Sequence, residues 1–230
     1  MNTSPRHIYI IESIDPKNDS WTGSVIETML HFLIKELKAP DKVSYFYVVS
    51  RQEFMSALQT IRCDCEINHY SPIIHFSMEG NDDRSGLYLK NSDEIPYIEL
   101  CKHLAPINTA TNGSLMITMH VCMGCNIVSW LDPNLPRPFA CVLGSAIDMD
   151  IWEPLDGFIG FYTKLISSSD LKLSIQQIKI DCPYYRNQFH FISKRRITNI
   201  LSEKMLENFK RKWIKQYGIE NKINFCVKMN

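Results

Sequence analysis

Runs of apolar and β-branched residues alternate along this chain with segments of helical periodicity. The apolar runs are bounded by polar residues, glycine or proline, which is typical of buried strands. Six such runs are predicted to be strands, at 7–14, 42–50, 71–78, 114–122, 139–145 and 188–193, with a short additional strand at 86–89. Because strands and helices alternate, the pattern predicts a mainly parallel sheet of about six strands covered by helices on both faces, a three-layer α/β fold.

The segments between the strands repeat apolar residues three and four positions apart, as amphipathic helices do. Helices are predicted at 24–38, 51–63, 95–107, 153–169, 171–181 and 195–217. In the first helix, Ser24 and Glu27 have the spacing of a capping box, and Val25 and Leu37 belong to the face expected to be buried. The last helix is long and basic, with an apolar stripe that is expected to pack on the body of the protein.

Composition and charge exclude several classes of protein. The 230 residues carry 25 Lys and Arg against 25 Asp and Glu, so the net charge gives no sign of nucleic acid or an anionic membrane as the main partner. The N-terminal apolar run is too short for a signal peptide and no stretch has the length of a membrane span. We therefore expect a cytoplasmic protein whose cysteines are reduced. Residues 1–230 are expected to form one domain, with a core at about 7–193 and a C-terminal helix at about 195–217.

Two residues that could take part in catalysis, Glu79 and Cys122, lie at the ends of consecutive core strands. Glu79 and Gly80 come after the third strand, and Cys122 ends the fourth, 122 − 79 = 43 residues later. The carboxyl ends of parallel strands meet at one edge of a sheet, where α/β proteins place their ligands. The pattern therefore predicts that Glu79, Gly80 and Cys122 lie close together at that edge.

The order of these pieces resembles the caspase-like cysteine peptidases, including the bacterial CHAT-type domains. In that family a strand ends in His-Gly, a small hairpin and a helix follow, and the next core strand ends in Cys-x-Gly. This chain has IIHFSMEGNDDRSGLYL (73–89) and MITMHVCMG (116–124) at the matching places. The likeness covers roughly residues 70–170 and implies a peptidase scaffold with Cys122 at the nucleophile position. Glu79 occupies the position of the family's catalytic His, whereas Gly80 is retained.

The Glu at this position works against the family's reaction. A cysteine peptidase uses a thiolate, which a neighbouring imidazole generates by accepting the thiol proton. An ionised Glu79 beside Cys122 would instead raise the pKa of the thiol. A carboxylate is also a poor base for a thiol, because the ordinary pKa values are about 4.3 and about 8.5. We therefore expect the standard peptidase chemistry to be impaired.

Two histidines are candidates for a replacement base. His120 lies two residues before Cys122, so both side chains leave the same face of the strand, and His75 has the same parity as Glu79 on its own strand. In this alternative Cys122 is the nucleophile, one of the histidines is the base, and backbone amides near Gly80 and Cys122 form the oxyanion hole. A structural role in packing is the competing interpretation of both histidines.

Three further features bear on ligands and partners. Asp148 and Asp150 follow the fifth strand, where the resemblance places substrate-binding loops, so this pair is a candidate to receive a Lys or Arg side chain. His120, Cys122 and Cys125 do not have the spacing of a common metal-ligand set, so we expect neither a metal nor another cofactor. The basic C-terminal helix is either a solvated face or a surface for nucleic acid or an acidic partner.

Two functions remain open from the sequence. The favoured one is a caspase-like domain that has lost its base and acts as a binding or regulatory module for a protein partner or polypeptide. The resemblance adds a possible setting, bacterial stress or antiviral responses. The alternative is a cysteine peptidase, active by itself or activated by a partner chain.

Overall fold

The computed structural model describes residues 5–14, 21–149 and 152–217. Within these ranges the strands are β1 (Arg6–Ser13), β2 (Lys42–Tyr47), β3 (Ser71–Gly80), β4 (Gly86–Tyr88), β5 (Glu94–Pro96), β6 (Met116–His120), β7 (Cys141–Ser145) and β8 (Phe189–Ile192). The α-helices are α1 (Thr22–Leu37), α2 (Arg51–Asn68), α3 (Tyr97–Ala110), α4 (Trp152–Ser168), α5 (Leu171–Asp181) and α6 (Lys194–Tyr217), and a 3-10 helix spans Gly124–Trp130.

Six strands form the main sheet in the order β2-β1-β3-β6-β7-β8. The first five of these are parallel to one another and β8 is antiparallel to β7. At its carboxyl end β3 continues into a hairpin, because it pairs there with β4, and β4 pairs in turn with β5. The predicted α/β architecture with about six mostly parallel strands is confirmed.

Two hydrophobic cores lie on opposite faces of the sheet and make the fold three-layered. One joins the sheet to α2, α3, the 3-10 helix and the start of α6. The other joins it to α1, α4 and α5. Successive strand residues point to alternate faces, so Tyr9 and Ile11 enter the first core while Ile8 and Ile10 enter the second. The inner strands therefore place apolar residues on both faces of the sheet, and the few polar residues among them, such as Glu12 and His75, are buried as well.

The N-terminus of α1 differs from the prediction. The helix begins at Thr22 after the N-cap Trp21, and no side-chain cap forms there, so the predicted capping box of Ser24 and Glu27 is wrong. Glu12 of β1 caps the helix instead. Its carboxylate accepts hydrogen bonds from the backbone N–H groups of Gly23 and Ser24. A local sequence pattern could not show this long-range cap.

The buried face of α1 is also narrower than the sequence indicated. Ile26 and Leu30 are buried against the sheet, whereas Val25 is 40% exposed and Leu37 is 48% exposed. The prediction that these two belong to the buried face is wrong, because the helix rests on the sheet along a seam rotated away from them.

The first turns of the C-terminal helix α6 pack on the first core. Ile197 is fully buried, Ile200 and Leu201 pack against the first core, and the Lys204 ammonium donates to the carbonyl oxygen of Leu131. Phe209, further along the same stripe, is 54% exposed. Among the described helices, none combines the length and the apolar character needed to cross a membrane.

Candidate functional site

The pairing register of β3 and β6 brings the two strand ends together. Ser77 of β3 is paired with His120 of β6. Continuing this register by two residues places Glu79 opposite Cys122. The prediction that Glu79 and Cys122 lie on neighbouring strand ends at one edge of the sheet is confirmed.

Gly80 completes this contact through its backbone. A Cβ atom built on Gly80 would lie 2.5 Å from the carbonyl oxygen of Cys122 and 3.3 Å from a Val121 methyl group. A residue with a side chain would therefore push the hairpin away from the end of β6. Glycine is required here by packing, whether or not the site is catalytic.

A small cleft opens at the ends of β1, β3 and β6. It is lined by Ile14, Thr22, Met78, Glu79, His120, Val121, Cys122 and Met149, and its volume is about 40 Å³. This is room for a few water molecules at most. Among the described residues, the cleft beside the Cys122 sulfur is therefore narrow.

The Cys122 thiol is held by the segment after β7. Its sulfur lies 3.4 Å from the Met149 backbone N–H, which donates to it, and 3.6 Å from the Met149 carbonyl oxygen. Burial is the main reason that the pKa of the thiol is raised, and Glu79 and Asp148 raise it further, while the bond from the Met149 N–H acts in the opposite direction. Cys122 is therefore expected to be a neutral thiol at pH 7.

Glu79 is one of the groups that raise the pKa of the Cys122 thiol. Its residue is exposed and is paired with Tyr88 across the β3–β4 hairpin. Although the residue contacts solvent, nearby protein atoms partly bury its carboxyl group, and this burial raises the pKa of the carboxyl. The contact of the side chain with solvent limits that effect, so we treat Glu79 as ionised at neutral pH. The sign of its influence on Cys122 agrees with the prediction from the sequence.

The two histidines occupy different environments. His120 is 8% exposed and lines the cleft together with Cys122. His75 is fully buried behind it, where Nδ1 lies 2.9 Å from the Thr118 hydroxyl and 3.2 Å from the Tyr162 hydroxyl. The two imidazole rings are 6.1 Å apart, centre to centre. His120 thus has access to the cleft, and His75 belongs to the polar interior beneath it.

Burial determines the protonation of His75. It holds the pKa of the imidazole well below the ordinary value, and the neighbouring His120 lowers it further. Phe158 of α4 packs edge-on against the ring at 4.9 Å. These contacts describe a neutral, packed imidazole that supports the sheet.

Glu12 is a component of the site that the sequence analysis missed. This fully buried carboxylate accepts hydrogen bonds from the Gly23 N–H at 2.6 Å and from the Tyr45 hydroxyl at 2.6 Å. The Ser77 hydroxyl donates to it at 3.3 Å and itself lies 2.6 Å from the Thr22 hydroxyl. Glu12 therefore fixes Thr22, one wall of the cleft. The sequence could have pointed to Glu12 in the way it pointed to Glu79, because both are acidic residues near the end of a buried strand.

The remaining candidates are placed only in part. Asp148 is exposed beside the cleft and influences Cys122, whereas Asp150 lies outside the described residues. Within the described ranges, no three His, Cys, Asp or Glu side chains converge as a metal site would require. Cys125 is turned away from the cleft, since its thiol donates to the Gly144 carbonyl oxygen at 3.2 Å.

Comparison with solved structures identifies the architecture. The Drosophila initiator caspase Dronc matches with a TM-score of 0.55 at 10% identity, over 81% of this chain and 78% of that one. The Arg-specific cysteine proteinase gingipain R matches with a TM-score of 0.53 at 10% identity, over 83% of this chain and 46% of that one. Neither a protein-family model nor a curated protein sequence matches the chain. The protein therefore has the caspase-like fold, as its resemblance to that superfamily implied.

Proposed function

We propose that this protein is a caspase-like domain that has lost the standard peptidase reaction and binds a basic polypeptide segment as a regulatory module. The observation that carries the proposal is the position of Glu79 beside Cys122. The caspase-like fold supports a peptidase-related origin for the site. A carboxylate at the base position cannot generate the thiolate that the ancestral reaction needs.

The state of the thiol supports the loss of chemistry. Burial, Glu79 and Asp148 all raise the pKa of Cys122, so an activated thiolate is disfavoured. The Met149 backbone contacts the sulfur, and the cleft beside it is narrow among the described residues. An active peptidase requires the opposite in both respects, an ionised nucleophile and space for the scissile bond.

The charge of this edge favours a basic partner. Glu79, Asp82, Asp83 and Asp148 are exposed at the carboxyl ends of the central strands or in the hairpin that extends from them, with Arg84 also exposed in the hairpin turn. Acidic groups at the rim of an interface steer cationic partners and select their register. Asp150, outside the described residues, is proposed to add to this potential. Gingipain R is described as Arg-specific, which is a precedent for recognition of a basic side chain on this fold.

The cellular setting is a further part of the proposal. The likeness to bacterial caspase-like domains favours a role in stress or antiviral responses, in which a partner chain would provide the signal. The basic helix α6 is a secondary candidate surface for nucleic acid or an acidic protein.

One observation favours a second function, a cysteine peptidase with a different base. His120 and Cys122 line the same cleft, so a movement of the Met149 segment could bring an imidazole to the thiol. Backbone amides near Gly80 and Cys122 would then serve as the oxyanion hole. His75 is the weaker candidate for the base because it is fully buried.

Thiol reactivity separates these two functions without knowledge of a substrate. Alkylation of Cys122 by iodoacetamide, followed peptide by peptide with mass spectrometry, should be slow at about pH 6 and should accelerate only above about pH 8.5. Glu79→Gln should accelerate it modestly by removing a negative charge. Glu79→His should accelerate it more, because an imidazole would return to the base position.

The protein contains its own reference for this measurement. Cys63 is an exposed free thiol and calibrates the reagent in the same sample, while Cys122→Ala provides the blank. Rapid labelling of Cys122 at about pH 6 in the unaltered protein, abolished by His120→Gln or His75→Gln, would establish an activated thiol and overturn the proposed loss of chemistry.

A further inference from the structure

A second constellation of reactive side chains lies at the opposite edge of the sheet. Near the N-terminal ends of β1 and β2, the Ser44 hydroxyl is 2.8 Å from Nε2 of His7. The other ring nitrogen of His7, Nδ1, is 3.0 Å from a carboxylate oxygen of Asp64 on α2. Six residues of strand separate His7 from the carboxyl end of β1, about 20 Å, so this cluster is distinct from the Cys122 cleft.

The arrangement has the order hydroxyl, imidazole, carboxylate. Asp64 beside Nδ1 favours the tautomer with its proton on that nitrogen, which leaves Nε2 free to accept from Ser44. His7 Nδ1 and the Asp64 carboxylate are close, but in the resting arrangement they are not aligned well enough to form a hydrogen bond. Resting sites often have such loose geometry and tighten when substrate binds.

Neighbouring groups fix each member of the cluster. Asp64 also accepts hydrogen bonds from the Tyr9 hydroxyl and from the Asn68 amide, the latter at 2.6 Å. The His7 ring stacks on the Tyr9 ring at a centroid distance of 3.9 Å. The imidazole and the carboxylate are therefore held in place before any ligand arrives.

The surroundings of His7 keep its imidazole uncharged, so that it can accept a proton. Burial is the main cause of the lowered pKa of His7, Lys42 lowers it further, and Asp64 opposes both. His7 is only 7% exposed, while Ser44 is partly exposed. A small reagent can thus reach the hydroxyl from solvent while the base behind it remains shielded.

We propose that Ser44 is the nucleophile of a second site that hydrolyses small carboxylic esters. Ser44 Oγ attacks the ester carbonyl carbon while His7 Nε2 accepts the hydroxyl proton. The ester C–O bond breaks, and His7 returns the proton to the departing alcohol. Water then attacks the acyl-Ser44 carbonyl with His7 again as base, which releases the carboxylic acid and restores Ser44.

Lys42 gives this site a preference for negative charge. It lies two residues before Ser44, so both side chains leave the same face of β2. Its ammonium group donates to the Tyr70 hydroxyl and sits 4.9 Å from the centre of that ring, which in turn packs edge-on to His7. This exposed cation lowers the pKa of His7, and it is expected to attract anionic ligands to this edge of the sheet through long-range charge.

Covalent labelling tests the proposal directly. A small fluorophosphonate should modify Ser44 in the folded protein, as located by peptide mapping, and p-nitrophenyl acetate should be hydrolysed with an acyl-Ser44 intermediate. Ser44→Ala removes the labelled peptide signal and Asp64→Asn should slow modification by about 100-fold, the range expected for loss of an oriented general base. Ser71→Ala, which changes a serine at the same edge of the sheet, should leave the rate unchanged.

The outcomes are decisive because Ser44 and Asp64 are not core residues. Their variants are compared only after thermal unfolding shows that the fold is intact. An unlabelled Ser44 in the folded protein, or equal rates for the unaltered chain and Asp64→Asn, would overturn the proposal and leave the cluster a packing feature. The cluster of Ser44, His7 and Asp64 shares no residue with the Cys122 cleft, so failure here leaves the proposed function of the Cys122 edge untouched.

Discussion

Gly80 and Cys122 approach so closely that a single methyl group would not fit between their backbones. The ideal Cβ position on Gly80 is 2.5 Å from the Cys122 carbonyl oxygen. This contact ties the β3–β4 hairpin to the end of β6 and holds Glu79 beside the thiol. It also explains a glycine at this position without any appeal to peptide hydrolysis.

Gly80→Ala should therefore destabilise the protein and displace the hairpin. The clash is with backbone, which cannot rotate away, so we expect a loss of about 1–3 kcal/mol in the free energy of unfolding. Ser202→Ala is the control, because it changes an exposed residue of helix α6 and alanine favours a helix. Urea titrations of both variants provide the comparison. Equal stability of the two would show that the close approach relaxes at no cost.

The buried His75 predicts a loss of stability in acid. Its pKa in the folded protein is well below the ordinary value, so unfolding allows the imidazole to bind a proton. Its contribution to stability is complete above the unfolded pKa of about 6.5 and is lost as the pH falls through that value toward the lower folded one. His7 acts in the same direction, because burial lowers its pKa too.

Chemical denaturation between about pH 7.5 and pH 5.5 tests this linkage. Each such histidine contributes up to about 1.4 kcal/mol per pH unit to the slope. His75→Gln should reduce the slope by one histidine's share, and His31→Gln, which removes an imidazole that is 60% exposed on α1, serves as the control. An unchanged slope in His75→Gln would contradict the assignment.

The acidic edge predicts salt-dependent binding of cationic peptides. A Lys- and Arg-rich peptide should bind more tightly at low ionic strength, as measured by fluorescence anisotropy, because exposed charges are screened by salt. Glu79→Gln and Asp148→Asn should each weaken binding about two- to fivefold, the size expected for an exposed ion pair. Glu207→Gln removes an exposed carboxylate from α6 and should have no effect. Equal losses in all three variants would indicate only a general charge effect.

The two halves of the α6 stripe predict unequal costs of truncation. Ile197→Ala should cost about 2–4 kcal/mol, because it empties a fully buried site in the first core. Phe209→Ala removes a larger side chain that is 54% exposed and should change stability by less than about 1 kcal/mol. Thermal unfolding of the two variants is the measurement. Similar losses would mean that the exposed half of the helix is also packed.

The sequence predicted the sheet edge of the site well because two simple periodicities determine it. The strand period of two and the alternation of strands with helices placed Glu79 and Cys122 on adjacent strand ends, and the register of β3 and β6 agrees. The roles of His75 and His120 were beyond that reasoning, since the two share a sheet face and both pack against Phe158 of α4. Only their depth distinguishes them, because His120 lines the cleft and His75 is fully buried beneath it.

Long-range contacts account for what the sequence did not predict. Glu12 caps α1 across a gap in sequence, so the local pair Ser24 and Glu27 was a misleading signal. The Met149 backbone reaches the Cys122 sulfur from the segment after β7, and backbone donors leave no mark in side-chain chemistry. The Ser44 and His7 pair forms across two strands whose register had to be known first.

The exposure of Glu79 has a consequence for how such a domain evolves. Met78 and Ser77, its neighbours on β3, are buried, whereas Glu79 itself projects toward solvent. Substitutions at exposed positions away from special backbone geometry usually alter stability by no more than about 0.5 kcal/mol. A lineage can thus exchange an imidazole for a carboxylate, or recover it, while the rest of the molecule stays intact. Loss of hydrolysis then needs only one exposed change, whereas its recovery would also require the Cys122 thiol to be released from burial and from the Met149 backbone.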